Sequence, residues 1–122
     1  LWRGVGADVD RSLFSWEGPD GTRLPVVYLM HGYGNAVNLP TDPSALAARI
    51  ESEAAALAKR SDVSTLLFMN GSDHERPIPE LPRALEAVRA RLTGIDIEIG
   101  SLAEFVARAL EENHWMLAAQ SV

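Results

Sequence analysis

Between residues 42 and 112, stretches of helical apolar period alternate with short apolar runs, and that order limits the folds open to the chain. Asp42 followed by Pro43 starts the first helix: a capping side chain, then a proline whose missing N–H costs nothing at the first helical position. Leu46, Ile50, Ala54, Leu57 and Ala58 then recur at helical spacing and bury one stripe. The run Thr65-Leu66-Leu67-Phe68-Met69 reads as a buried parallel strand. Leu81, Leu85, Val88 and Leu92 mark a second helix, stopped by Gly94. Ile95-Asp96-Ile97-Glu98-Ile99 alternates as a short strand does, and Ser101-Leu102-Ala103-Glu104 is a capping box that opens a third helix. Helix, strand, helix, strand, helix implies parallel strands with helical crossovers, an α/β architecture. A closed β/α barrel needs about 200 residues or more. A chain of 122 residues therefore predicts a partial barrel, an arc of parallel strands with crossover helices. Such an arc leaves strand edges and helix faces uncovered, which self-association into a homo-oligomer would cover.

The N-terminal third reads differently. Phe14-Ser15-Trp16-Glu17 alternates large apolar with polar residues, Pro19-Asp20-Gly21-Thr22 supplies a turn, and Leu24 to Met30 is a continuous apolar run expected to be covered on both faces. Together they predict a β-hairpin ahead of the arc. Leu1, Trp2 and Arg3 read as the end of an element cut midway, ahead of a glycine-spaced loop with Asp8 and Asp10. The last residues, from Asn113 to Val122, show no period. The whole, residues 1–122, is the size of one domain at most.

Charge narrows the partners. Eleven basic against 17 acidic residues give a net charge of -6, which argues against nucleic acid, a ligand that needs a basic footprint. No run of about 18 apolar residues exists to span a membrane. Without cysteine there is no disulfide and no thiolate metal site, which suits a reducing, cytoplasmic setting. His31, His74 and His114 show no metal-ligand spacing, so no metal site is expected within the chain, and His114 reads as a surface residue beside Trp115.

Two loops are candidates for chemistry. Asn70-Gly71-Ser72-Asp73-His74-Glu75 follows the C-terminal end of an expected strand, where β/α folds carry their active sites. A carboxylate there could serve as a general acid, or Asp73 could simply cap the next helix. In His31-Gly32-Tyr33-Gly34-Asn35 the glycines flank Tyr33, whose ring face can stack on sugar C–H groups and whose hydroxyl can donate, or which can pack inside a glycine-rich turn. The catalytic candidate is thus Asp73, and the substrate-binding candidates are Tyr33, Asn35 and His74. No phosphate-binding loop or serine nucleophile elbow is present.

Four segments, Phe14-Ser15-Trp16-Glu17-Gly18-Pro19-Asp20-Gly21-Thr22, Gly32-Tyr33-Gly34-Asn35-Ala36 with Leu39-Pro40, Leu67-Phe68-Met69-Asn70-Gly71-Ser72-Asp73-His74 and Gly100-Ser101-Leu102, together resemble the bacterial branch of glycoside hydrolase family 38, the α-mannosidases. Order and spacing agree over roughly residues 1–112. The resemblance implies a zinc-dependent retaining α-mannosidase acting on terminal α-mannosides, with a β/α-barrel catalytic domain of which this chain is a fragment. It implies that Asp73 holds the acid/base position and Tyr33 an aromatic substrate contact. It also implies that the nucleophile and the zinc ligands lie outside this chain, so that the fragment alone is inactive. Two other readings compete: a non-catalytic sugar-binding or interaction module that uses Tyr33 and the Asp73 loop, and an unrelated α/β domain whose loops mimic the motifs.

Overall fold

The computed structural model describes residues 5, 6 and 9–113, so Asp8, His114, Trp115 and the reading of residues 1–3 lie outside the described residues. The elements are β1 (Leu13–Glu17), β2 (Arg23–Val27), α1 (Pro43–Ala58), α2 (Leu81–Val88) and α3 (Leu102–Glu112), with a 3-10 turn over Arg89–Arg91. They fall into two compact units. One holds the residues up to Gly32, Leu57–Leu67 and the residues from Gly100 on; the other holds Tyr33–Ala56 and Phe68–Ile99.

In the first unit the hairpin expected from the sequence forms. β1 and β2 pair antiparallel from Leu13 opposite Val27 to Glu17 opposite Arg23. The turn closes because the Gly18 N–H donates to the Thr22 carbonyl (2.7 Å) and Gly21 takes a φ of 83°. The Asp20 carboxylate accepts from the Thr22 N–H and hydroxyl, both at 3.0 Å. Those bonds, the backbone one foremost, hold Asp20 below the usual carboxylate range. Leu13 is fully buried with Ala109 and packs against Val27, Val63, Phe105 and Leu110. Covering is less than expected: the strand ends at Val27, and Leu24 stays 57% exposed.

α3 opens with the capping box its sequence announces. The Ser101 hydroxyl accepts from the Glu104 N–H (3.2 Å), and the Glu104 carboxylate accepts from the Ser101 N–H (2.6 Å). The Ser101 N–H, then its hydroxyl, lower the Glu104 pKa. A depressed carboxylate stabilises the fold above its unfolded-state pKa and loses that contribution as pH falls through the folded value. Ser101→Ala should destabilise the protein by about 1 kcal/mol, read as a lower urea midpoint with unchanged slope. An unchanged midpoint would mean the cap is not formed in solution. At the other end of α3, Glu112 accepts from the Ser64 N–H (2.7 Å) and from the hydroxyls of Ser64 and Thr65.

The second unit is built on α1 and α2. Asp42 caps α1, its carboxylate accepting from the Ala45 N–H at 2.9 Å. Leu46 and Ile50 of α1, Leu81, Ala84 and Val88 of α2, and Ala36, Leu39 and Leu92 form one buried cluster. α2 is shorter than its period suggests, passing into the 3-10 turn before Leu92, and Gly94 then takes a φ of 72°.

The α/β class expected from the sequence stands, with a two-stranded hairpin and three α-helices among the described residues, whereas the expected arc of parallel strands is not seen. Among the described residues the sheet is the two-stranded antiparallel hairpin, and neither 65–69 nor 95–99 joins a ladder. Both segments are apolar for a different reason: Phe68, Ile95 and Ile97 lie half-buried against the α1–α2 cluster. Alternation and an apolar run report burial. A strand also needs a neighbour whose N–H and C=O groups face its own. Met69 finds its partners in a loop instead, as described next.

Candidate functional site

Both candidate loops fall within the second unit from Tyr33 and Phe68 onward, and the structure fastens them together. The Ala36 N–H donates to the Met69 carbonyl (3.0 Å), and the Asn70 side-chain amide donates to the Ala36 carbonyl (2.7 Å). The Met69 N–H donates to Asn35 Oδ1 at 2.7 Å. A Cβ placed on Gly34 would stand 3.5 Å from the Gly71 carbonyl, so the two glycine-bearing turns lie in near contact. The loop carrying Tyr33 and the loop carrying Asp73, singled out separately in the sequence, are thus neighbours.

Their local geometry follows from their residues. The Val37 N–H donates to the Gly34 carbonyl (3.0 Å), closing a turn, and Tyr33 just ahead of it is exposed. In the other loop the Glu75 N–H donates to the Ser72 carbonyl (3.3 Å), and Gly71 takes a φ of 136°. His74 has a φ of 63°, in the left-handed region that few residues with a side chain adopt and where histidine is enriched. Backbone held in a sparsely populated conformation is a frequent mark of functional loops. Residues 70–77, Asp73 and His74 among them, are all exposed, so both side chains can meet a ligand from solvent.

Asn35 sits elsewhere in this arrangement. It is buried, and its carboxamide bonds within the chain on both sides: Oδ1 accepts from Met69, and Nδ2 donates to Glu53 Oε1 at 2.9 Å. Arg49 completes the cluster, with one guanidinium nitrogen 2.7 Å from the Asn35 carbonyl and another 3.5 Å from Glu53 Oε2. Of the four candidates, Tyr33, Asp73 and His74 lie at the surface of the joined loops, and Asn35 lies beneath them.

Glu53 and Arg49 escaped the reading of the sequence, although a signal was there. Leu46, Ile50, Glu53 and Leu57 follow one helical stripe, and a carboxylate on a buried stripe needs a partner. Among the described residues no group of three His, Cys, Asp or Glu side chains gathers to hold a metal ion. No helix among them is long and apolar enough to cross a membrane.

No family model matches the chain. The chain is 24% identical over 97 residues to a protein of Halalkalibacterium halodurans named "Putative mannosylglycerate hydrolase", an alignment that takes in 80% of this chain and 11% of that protein. In three dimensions it is similar to the crystal structure of an alpha-mannosidase from Enterococcus faecalis, with a TM-score of 0.79 and 22% identity over 85% of this chain and 12% of that one. The chain therefore spans about one-ninth of the length of either relative. What it shares with the mannosidase structure is the fold of one segment.

Proposed function

We propose that this chain is part of the catalytic domain of a retaining α-mannosidase, and that its joined loops form one wall of the site that binds a terminal α-mannoside. The observation that carries this reading is the fastening of the Tyr33 loop to the Asp73 loop through Ala36, Met69 and Asn70, which makes neighbours of two loops that carry an exposed aromatic side chain and an exposed carboxylate. The likeness of the fold to a segment of an alpha-mannosidase supports it independently.

In this reading Asp73 is the acid/base. Retaining hydrolysis uses two carboxyl groups about 5–5.5 Å apart. One attacks the anomeric carbon while the other protonates the departing glycosidic oxygen, then takes a proton from the water that releases the sugar. Asp73 is the second of these. Its exposure lets it reach the glycosidic oxygen, and the bound sugar itself excludes water from the loop. Tyr33 offers its ring to the apolar face of the sugar, and His74, next to Asp73, offers a nitrogen to a sugar hydroxyl. Asn35 holds this wall from below. The nucleophile and a zinc ion that would bind and polarise the substrate belong, in this proposal, to parts of the protein outside these residues.

The test compares this chain with the whole protein of which it would be a segment, on 4-nitrophenyl α-mannoside with zinc added. Hydrolysis by the whole protein, lost on chelation and absent from the isolated chain, is expected. Absence of hydrolysis from both, with mannose binding by the chain alone, would replace the enzyme with a sugar-binding module.

A further inference from the structure

We infer that Glu53 is a positioning residue that sets the Asp73 loop through Asn35, an inference whose catalytic consequence rests on the reading of Asp73 as acid/base. A carboxylate only accepts hydrogen bonds, a backbone N–H only donates, and a carboxamide does both but at opposite ends. Asn35 stands between one of each: Glu53 Oε1 at 2.9 Å from Nδ2, and the Met69 N–H at 2.7 Å from Oδ1. Glu53 therefore fixes which way the amide faces. Turned over, the amide would set oxygen against carboxylate and NH2 against N–H.

Two facts make this arrangement costly to lose. Glu53 is only 9% exposed, so its charge needs its partners. Arg49 supplies one, and by also donating to the Asn35 carbonyl it fixes the backbone of the same residue. Met69 then leads directly into Asn70, whose amide makes the second fastening to Ala36, and on to Asp73. The chain of contacts Glu53, Asn35, Met69 thus runs from the middle of α1 to the root of the loop that carries the carboxylate.

The test exchanges the chemistry of the pair. Asn35→Asp places two carboxylates face to face in a buried site. They can hold the Met69 N–H only by sharing a proton, which happens as pH falls. Asn35→Asp combined with Glu53→Gln restores one acceptor-only group and one amide, in swapped positions. Hydrogen exchange at the Met69 amide in this chain is the first readout, with the Ile50 amide of α1, in the same unit, as control for intact folding. At about pH 8 the single variant should lose about tenfold in protection at Met69 and regain it toward about pH 5. The swapped pair should stay within about twofold of the parent at both. Glu53→Ala removes the acceptor for Asn35 and should likewise lose protection at Met69, which covers the case in which Asn35→Asp fails to fold. Unchanged protection in Asn35→Asp or in Glu53→Ala, or no rescue by the swap, would overturn the inference.

The second readout is kinetic, in the whole protein with 4-nitrophenyl α-mannoside. Asn35→Asp and Glu53→Ala should lower kcat, the former with recovery toward acid pH, while the swapped pair stays near the parent. Altered exchange with unaltered kcat would overturn the positioning role and leave Glu53 a packing residue. A parent protein without mannosidase activity would instead sink the proposed function, while exchange at Met69 would still decide whether Glu53 sets the loop.

Discussion

In the whole protein, Asp73→Asn is expected to lower kcat/KM on unactivated α-mannosides by about 10²–10⁴-fold, the usual contribution of a positioned general acid. The loss should be far smaller on an activated aryl mannoside. An alkoxide leaving from a natural glycoside needs its proton in the transition state, whereas a nitrophenolate departs without one. Asparagine keeps the size and much of the hydrogen bonding of aspartate but cannot deliver a proton, so the two substrates should separate. Equal losses on both would remove Asp73 from the acid/base role and make it a binding or structural residue. Because Asp73 is exposed in a turn, its replacement should leave stability within about 0.5 kcal/mol of the parent, so lost activity would not reflect unfolding.

The largest expected effect on stability lies in the second unit. Leu46→Ala should cost about 2–5 kcal/mol. Leu46 is 0% exposed and belongs to the cluster that joins α1 to Val88 and Leu81 of α2. Truncation removes the apolar area that Leu46 buries and opens a cavity between elements that cannot close over it without shifting. Ile99→Ala provides the contrast, because Ile99 is 66% exposed and should change stability by about 0.5 kcal/mol or less. Urea unfolding followed by helical circular dichroism reads both. Equal, small effects would mean that the α1–α2 packing is not present in solution. Since that packing also holds Ala36, which carries both backbone fastenings to the Asp73 loop, the loop should loosen with it.

What could be read from the sequence was what local chemistry decides. The hairpin turn needed a glycine able to take positive φ at position 21, and Gly21 takes it there. Asp42 and Ser101 announced the starts of α1 and α3 because capping involves only the next few residues. Residues 65–69 and 95–99 were misread because pairing is a property of two segments, and a single sequence shows only one at a time. Of their apolar residues, Phe68, Ile95 and Ile97 pack against the α1–α2 cluster. The candidate loops were legible from their glycines and ionisable residues, but their adjacency was not. It depends on Asn35 bonding to Met69, 34 positions along the chain. Glu53 was hidden for a similar reason: a charge on a helical stripe looks like a solvated residue until its partner from another loop is seen.

The most direct test of Asp73 as the acid/base of a retaining mannosidase is chemical rescue in the whole protein. Asp73→Ala should be slow on 4-nitrophenyl α-mannoside because the mannosyl intermediate waits for a base to activate water. Azide needs no base, so adding it should restore turnover and yield α-mannosyl azide, the product of two displacements at the anomeric carbon. No rescue, or a β-mannosyl azide formed by a single displacement, would contradict the assignment of Asp73 and of the loop that carries it.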